Sequence, residues 1–127
     1  MPTSRVTIVI PNWNTRQWLK GCLDGLRTQN PQNFVALMVD NGSTDGSVGF
    51  VKEHYPEVEV LQLSRNRGFA FAANIGIAAA ETEYVALLNP DTIPYPTWLA
   101  ALVAALDAAP ADVGGLASKM PRLANPT

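Results

Sequence analysis

"FVALMVDNGSTDGS", residues 34–47, is the stretch that decides the fold. It begins with an unbroken apolar run, which predicts a strand with both faces buried. Strands of this kind belong to parallel sheets that are covered by helices. The run ends at Asp40 and is followed by a loop of glycine and small polar residues that leads into the next predicted helix.

Strands and helices are predicted to alternate along the chain. Apolar residues at helical spacing predict helices at 15–29, 68–80 and 97–109, the last with Thr97 as a candidate N-cap, and a short helix ending near His54. Extended runs predict strands at 6–10, 34–40, 58–64 and 84–89, the first stopped by Pro11, and a last short strand within 112–120. We therefore expect an α/β three-layer sandwich with a mainly parallel sheet, formed by a single domain over residues 1–127.

Composition excludes several classes of protein. The 127 residues carry a net charge of -2, so we expect no basic surface and no nucleic acid partner. One cysteine, Cys22, and one histidine, His54, exclude an internal disulfide and a Cys/His zinc site. Cys22 is expected to pack as a small apolar residue, and His54 to lie in solvent near a helix end.

No transmembrane segment is expected from this sequence. The N-terminus lacks the apolar centre of a signal peptide, and the longest apolar run, Leu99 to Leu106, is far shorter than the ~20 residues of a spanning helix. We therefore expect a cytoplasmic protein, at most peripheral to the inner face of the membrane.

Hydrogen-bonding or charged groups occur where each of the four main strands ends. The residues at these exits are Asn12 and Trp13 after Pro11 at the end of the first strand, Asp40 at the end of the second, Asn66, Arg67 and Gly68 after the third, and Asn89 and Asp91 after the fourth. Ligands of open parallel sheets bind beyond the carboxyl ends of the strands. The sequence therefore predicts a ligand site built from these four exits.

The residue types at these exits indicate a phosphate-bearing ligand. A helix beginning after Gly68 would attract phosphate, which Asp40 and Asp91 would repel. The conflict disappears if Asp91 holds a divalent cation that bridges to the phosphates, while Asp40 accepts hydrogen bonds from a base or ribose. Trp13 either offers a flat face to the base or packs in the core, and the sequence leaves both open.

The common nucleotide motifs are absent. No G-x-G-x-x-G follows the first strand, and the sequence contains no G-x-x-x-x-G-K-[ST]. An NAD-binding domain and a P-loop protein therefore lose their main support.

Four segments together carry a family resemblance: "VTIVIPNWN", "VDNGSTDGS", "NRGFAFAANIGI" and "LLNPDT". In this order and spacing they resemble the N-terminal, Rossmann-like half of a family 2 glycosyltransferase of the GT-A fold, with the bacterial rhamnosyltransferase-like members closest. The resemblance implies binding of a nucleoside diphosphate sugar, UDP- or dTDP-linked, for glycosyl transfer in cell-envelope polysaccharide synthesis.

The resemblance also implies roles for individual residues. Pro11, Asn12 and Trp13 would line the base pocket, and Asp40 would contact the base. Asp91 matches the last acid of the family's D-x-D motif, which holds Mn2+ or Mg2+, and Asn89 replaces the first acid. The segment from Asn66 through Arg67 to Gly68 would approach the donor. Asp45 recurs in the family, and here we expect it to cap the following helix.

Two departures from the family limit these expectations. Ala73 stands where members often carry an arginine, and the family's catalytic base lies in a later half that also binds the acceptor. Beyond Asp91 the only acids are Asp107 and Asp112, and neither lies in such a motif. We therefore expect a domain truncated before its acceptor half, with the base beyond residue 127. A non-catalytic nucleotide-binding module and a sugar nucleotidyltransferase stay open as alternatives.

The resemblance also predicts an association. In the family's sheet a later strand pairs with the outer side of the fourth strand, so without it an apolar edge would be left unpaired. We expect either a homodimer through this edge or a rearranged final strand that covers it.

Overall fold

The computed structural model describes residues 4–110. Its elements are β1 (Val6–Asn12), α1 (Arg16–Arg27), β2 (Phe34–Asp40), α2 (Ser47–His54), β3 (Glu59–Gln62), α3 (Phe69–Ala79), β4 (Tyr84–Leu87) and α4 (Trp98–Ala108). The predicted alternation of strands and helices is confirmed for these residues. The strand predicted within 112–120 lies outside the described residues.

The four strands form one parallel sheet in the order β3-β2-β1-β4. Asn12 at the end of β1 is in register with Asp40 at the end of β2, and Asp40 is in register with Gln62 of β3. On the other side of β1, Val9 is in register with Leu87, the last residue of β4. The carboxyl ends of all four strands therefore lie along one edge of the sheet, and the loops that follow them begin there.

The prediction that Pro11 stops the first strand is wrong, because β1 continues to Asn12. Successive residues of β1 direct their backbone N–H and C=O groups alternately toward β4 and toward β2. The Val9 carbonyl accepts from the Leu88 N–H of the β4 side at 2.9 Å, whereas the Asn12 carbonyl accepts from Asn41 after β2 at 2.8 Å. Pro11 lies two residues after Val9 and therefore also faces β4. Its missing N–H thus ends the pairing with β4 and leaves the pairing with β2 intact. This also explains why β4 ends at Leu87 rather than at residue 89.

Helices cover both faces of the sheet. On one face α1, α2 and α4 pack around a core that includes Ile8, Ile10 and Met38. On the other face α3 packs against Val9 and Val39, and it lies so close that a Cβ on Gly76 would be 2.3 Å from a Val9 methyl carbon. The three-layer α/β architecture is confirmed.

Cys22 and His54 lie where the sequence predicted them. Cys22 is completely buried in the α1 side of the core, and burial, together with the charge of Asp91, raises the pKa of its thiol to about 12. His54 is exposed as the last residue of α2. Within residues 4–110, no helix is both long and apolar enough to cross a lipid bilayer.

Candidate functional site

The carboxyl edge of the sheet brings together the four polar exits. Along this edge the order is the segment after β3 with Asn66 to Gly68, then Asp40 of β2, then Asn12 and Trp13 of β1, then Asn89 and Asp91 after β4. The predicted convergence at one edge therefore follows directly from the parallel topology.

A buried pair of side chains, Asn12 and Asp40, occupies the centre of the edge. Asn12 Nδ2 donates to Asp40 Oδ1 at 2.8 Å and to Ser43 Oγ at 3.2 Å, and the Ser43 N–H donates to Asp40 Oδ2 at 2.9 Å. Asn12 is 1% and Asp40 2% exposed. Each Asp40 oxygen therefore has a donor that compensates for its burial, and the carboxylate fixes the loop that follows β2.

An open groove of about 500 Å³ begins at Asp40. Its walls are the loop after β2, the first turn of α2 and the exit of β3, including Ser43, Gln62 and Ser64. Polar and apolar groups contribute about equally to this lining, so the groove offers both hydrogen bonds and apolar contacts.

Trp13 lies beside the buried pair and is 50% exposed, so it is not a core tryptophan. The next residue, Asn14, has a positive φ of 53° and exchanges hydrogen bonds with the loop after β2. Its N–H donates to Ser43 Oγ at 2.9 Å, and its Oδ1 accepts from Thr44 N–H at 2.8 Å. The exits of β1 and β2 are thereby tied together, and the Trp13 indole beside them is half exposed.

Asp45 links two helices to this loop. Its Oδ1 accepts from the Ser47 N–H of α2 at 3.0 Å and from the Ser47 hydroxyl, and its Oδ2 accepts from the Arg16 N–H of α1 at 2.9 Å. Partial burial acts to raise the pKa of Asp45, but the hydrogen bonds from Ser47 and Arg16 outweigh it and hold the pKa below its usual value. The N-cap residue of α2 is Gly46, and Asp45 just before it accepts from the first N–H of that helix, which agrees with the predicted structural role at its start; Asp45 also accepts from the first N–H of α1.

The segment after β3 is held by a residue that sequence reasoning did not assign to the site, Asn41. Its Oδ1 accepts from the Arg67 N–H at 2.9 Å, and its Nδ2 donates to the Gly68 carbonyl at 3.0 Å. Gly68 has a φ of +92°, a backbone conformation open to glycine, and its N–H donates to Asn66 Oδ1 at 2.8 Å. The Arg67 guanidinium stacks 4.2 Å from the centre of the Phe71 ring. The sequence showed only that Asn41 directly follows a predicted buried strand; its burial and its partners come from the fold.

The exit of β4 carries two exposed side chains, Asn89 and Asp91, on either side of the buried Pro90. The Asn89 carbonyl accepts from Thr92 Oγ1 at 2.6 Å and from Thr92 N–H at 3.2 Å, which closes a tight turn around Asp91. Within residues 4–110 the Asp91 carboxylate makes neither a hydrogen bond nor an ion pair. The turn therefore presents a carboxylate that is available to a ligand.

Comparison with known proteins identifies the family. The sequence model described as Glycosyl transferase family 2 matches residues 7–118. The chain belongs to this family. A relative, the teichoic acid poly(glycerol phosphate) polymerase of Staphylococcus epidermidis, is 30% identical over 92 residues, which cover 69% of this chain and 13% of that protein.

Solved structures of the GT-A fold match this family 2 chain. The mannosyltransferase PcManGT of Pyrobaculum calidifontis, in complex with GDP-Man and Mn2+, has a TM-score of 0.74 at 28% identity and covers 85% of this chain and 33% of its own. TarS of S. aureus in complex with UDP-GlcNAc has a TM-score of 0.74 at 24% identity and covers 81% and 31%. This chain therefore spans about a third or less of the length of these proteins.

A divalent cation at this family 2 site would find a sparse set of protein ligands. Among the described residues no cluster of three or more acids, histidines or cysteines could enclose a metal. Asp40 is buried with a donor on each oxygen, so Asp91 is the carboxylate that remains. One exposed carboxylate suits Mg2+ or Mn2+ that takes its other ligands from water and phosphate oxygens, so the residues fit a metal shared with a diphosphate.

Asp107, one of the two acids that follow Asp91 in this family 2 chain, lies at the opposite edge of the sheet. Its carboxylate accepts from Arg5, just before β1, at 2.8 and 2.9 Å and from Tyr84 Oη at 2.7 Å. The hydrogen bonds from Arg5 and Tyr84 lower the pKa of Asp107 to about 2. Asp107 is therefore distant from the site and a weak base. Asp112 lies outside the described residues.

Proposed function

We propose that residues 1–127 form the donor-binding half of a glycosyltransferase, which binds a nucleoside diphosphate sugar together with Mn2+ or Mg2+ at the carboxyl edge of the sheet. One observation carries the proposal. A buried, hydrogen-bonded Asn12–Asp40 pair beside an exposed indole lies on the same edge as the exposed Asp91 carboxylate, which has no hydrogen-bond or ion-pair partner within residues 4–110. A ligand with a flat, hydrogen-bonding end and an anionic, metal-binding end matches that arrangement.

The base and ribose belong at the exits of β1 and β2 in this proposal. Trp13 provides a flat face for the base, and Pro11 with Asn12 forms the floor. Each Asp40 oxygen keeps a lone pair beyond the donor it already has, and the adjoining groove brings a ligand to that carboxylate. Asp40 then acts in two ways, as the anchor of its own loop and as an acceptor for the base or ribose.

The diphosphate belongs near the exits of β3 and β4. Asp91 holds the cation, with the side chain of Asn89 nearby, and when bound the metal neutralises charge on the departing diphosphate. The exposed Arg67 and the backbone of Asn66 to Gly68, at the start of α3, would contact the donor. The Mn2+ and GDP-Man of PcManGT and the UDP-GlcNAc of TarS support this class of ligand.

Sugar transfer itself requires more than the described residues supply. An inverting transfer needs a base beside the acceptor hydroxyl, and Asp107 is on the wrong edge with a pKa of about 2. We expect residues 1–127 alone to bind the donor but to transfer sugar very slowly, with the base supplied from beyond residue 127. The polymerase relative is consistent with a role in cell-envelope polysaccharide synthesis. The rhamnosyltransferase-like specificity and the cytoplasmic location stay predictions.

The sheet edge at β4 is the surface proposed for a homodimer. No described strand pairs with the outer side of β4, and Val85 and Leu87 are 37% and 48% exposed. Pairing of two such edges would satisfy backbone groups and cover these side chains.

Calorimetric titration of the purified chain tests the donor site. UDP, dTDP and GDP are each added with Mn2+ and with EDTA, to the wild type, to Asp91→Asn and to Glu81→Gln. Both variants remove one exposed negative charge, but Glu81 lies outside the carboxyl edge, at the start of the segment before β4. Metal-dependent binding that only Asp91→Asn abolishes supports the proposal. Binding of no nucleotide by the folded chain would overturn it.

A further inference from the structure

The segment that carries Asp91 lies directly on one face of α1. A Cβ added to Gly21 would be 3.1 Å from the Ile93 side chain, and one added to Gly25 would be 2.7 Å from Pro94 Cδ and 3.0 Å from the Pro94 carbonyl oxygen. Positions four apart share a helix face, so the two glycines form one continuous surface without side chains, against which the segment packs. Any larger side chain at Gly25 would displace the segment.

A buried glutamine, Gln29, fastens the same segment one turn further along. Its Nε2 donates to the Tyr95 carbonyl at 2.6 Å and to the Gly25 carbonyl at 3.1 Å, while its Oε1 accepts from the Leu99 N–H at 3.0 Å. Leu99 is in the first turn of α4, and Thr97 makes no side-chain capping bond there. Thr97 therefore lies at the predicted N-cap position, but Gln29, just after the end of α1, satisfies the Leu99 N–H in place of the Thr97 side chain.

The packing of the segment against Gly21 and Gly25 also explains why two glycines occur inside a helix. Glycine weakens the interior of a helix, and α1 contains two that are four residues apart. Helix formation does not require them, but the close approach of Ile93 and Pro94 does. The Cys22 thiol, between the two glycines, lies 3.9 Å from the Asn89 carbonyl, so the contact of α1 extends along the segment from Asn89 to Tyr95.

We infer that Gly21, Gly25 and Gln29 are positioning residues for the metal, which they serve by fixing the backbone that carries Asp91. This inference rests on the proposed function. The Asp91 carboxylate has no side-chain partner among the described residues, so its position is set by its backbone alone. A cation held by one carboxylate and by phosphate oxygens tolerates little displacement of that carboxylate relative to the nucleotide. Displacing the segment therefore weakens the metal-dependent part of nucleotide binding and spares the metal-independent part.

The test substitutes Gly25→Ala and uses Ala104→Ser as its control. Each change adds one heavy atom inside a helix, but Ala104 is exposed on α4 and does not line the groove at Asp40. The measured quantity is the ratio of the UDP dissociation constant in EDTA to that in Mn2+. We expect Gly25→Ala to reduce this ratio by roughly 10-fold or more, as supporting residues of metal sites commonly do. The dissociation constant of Gly25→Ala in EDTA and the Ala104→Ser ratio are expected to match the wild type.

A second variant covers the case in which Gly25→Ala fails to fold. Gln29→Glu keeps an acceptor for the Leu99 N–H and removes the donor to the Tyr95 carbonyl, so it releases the segment while keeping the cap on α4. Amide NMR spectra without nucleotide or metal provide an independent readout. The amide shifts of Asp91 and Thr92 should change in either variant, whereas those of Asn12 and Asp40 should not.

The outcomes separate the inference from the proposed function. A wild-type Mn2+ ratio in folded Gly25→Ala and Gln29→Glu, or unmoved amide shifts at Asp91 and Thr92, would overturn the positioning role and leave the donor site intact. A wild type that binds UDP without any Mn2+ effect would overturn the metal site itself, and the NMR shifts would still decide whether α1 places the segment.

Discussion

Removing the Asn12 side chain should lower the free energy of unfolding, because the buried Asp40 carboxylate then loses a hydrogen-bond donor. Asn12→Ala deletes the 2.8 Å hydrogen bond to Asp40 Oδ1, and Asp40 is only 2% exposed, so water from the adjoining groove replaces the donor only in part. Hydrogen bonds to charged groups contribute about 1.5–3 kcal/mol, and a buried charge that loses its partner can cost 3–5 kcal/mol. The Ser43 N–H still serves the second oxygen, so we expect a loss of about 3 kcal/mol in the free energy of unfolding.

Urea denaturation followed by circular dichroism measures this loss directly. Lys20→Ala is a suitable control, because Lys20 also contacts a carboxylate, Asp24, at 2.6 Å but is 75% exposed. Exposed pairs of this type contribute about 0.3–0.5 kcal/mol, so the control should change stability by less than a fifth of the Asn12→Ala effect.

A double-mutant cycle decides whether the buried charge is the cause. With Asp40→Ala in the background no carboxylate remains to be left without its donor, so adding Asn12→Ala should cost about 1 kcal/mol or less. The two substitutions should therefore be less than additive by about 2 kcal/mol. Additivity to within about 0.5 kcal/mol would refute the coupling between Asn12 and Asp40 on which the rigid centre of the site depends.

Three further predictions follow from other contacts. Arg5 and Tyr84 lower the pKa of Asp107 from 3.8 to about 2, so its contribution to stability is present above pH 3.8 and is lost as the pH falls through about 2; Asp107→Asn should lower Tm at pH 6 but not at pH 2 in calorimetry. Burial raises the pKa of the Cys22 thiol to about 12, so iodoacetamide at pH 8 should leave the folded chain unmodified and alkylate it in urea, and rapid labelling of the folded chain would contradict this. Light scattering should give a dimer mass for the wild type and a monomer mass for Leu87→Lys, because a charge on the exposed edge opposes strand pairing; a monomeric wild type would contradict the edge interface.

Apolar patterns in the sequence predicted the elements well because they record burial, which also determines the fold. The unbroken apolar run at 34–39 favoured a strand covered on both faces, and the parallel sheet then placed Asp40 and Asp91 at one edge. The end of β1 was predicted wrongly because a proline stops pairing on one side only, and the side depends on which neighbour it faces. Which neighbouring strand the proline faces depends on the order of the strands in the sheet, and the local sequence does not contain that order.

Parts of the site escaped sequence reasoning because their roles depend on partners far along the chain. Asn41 is an ordinary loop residue until the fold brings the Arg67 N–H and the Gly68 carbonyl to it. In the sequence Gln29 is a polar residue near a helix end, and its role is visible only when the fold brings the Tyr95 carbonyl and the Leu99 N–H to its side chain. Trp13 is the opposite case, since its residue type suggested either the core or a ligand face, and only its 50% exposure separates the two.

The two ends of the carboxyl edge are held by different means, and this difference shapes how the site should respond to change. The centre is cross-linked by side chains, with Asn12, Asp40 and Ser43 joined by direct hydrogen bonds. Among the described residues Asp91, in contrast, is held only through its backbone, which rests on α1. Each oxygen of Asp40 already accepts from a protein donor, whereas the Asp91 carboxylate accepts from no described donor and offers all its lone pairs to a cation. The position of Asp91 must therefore come from its backbone, and a helix face without side chains at two glycines provides that support.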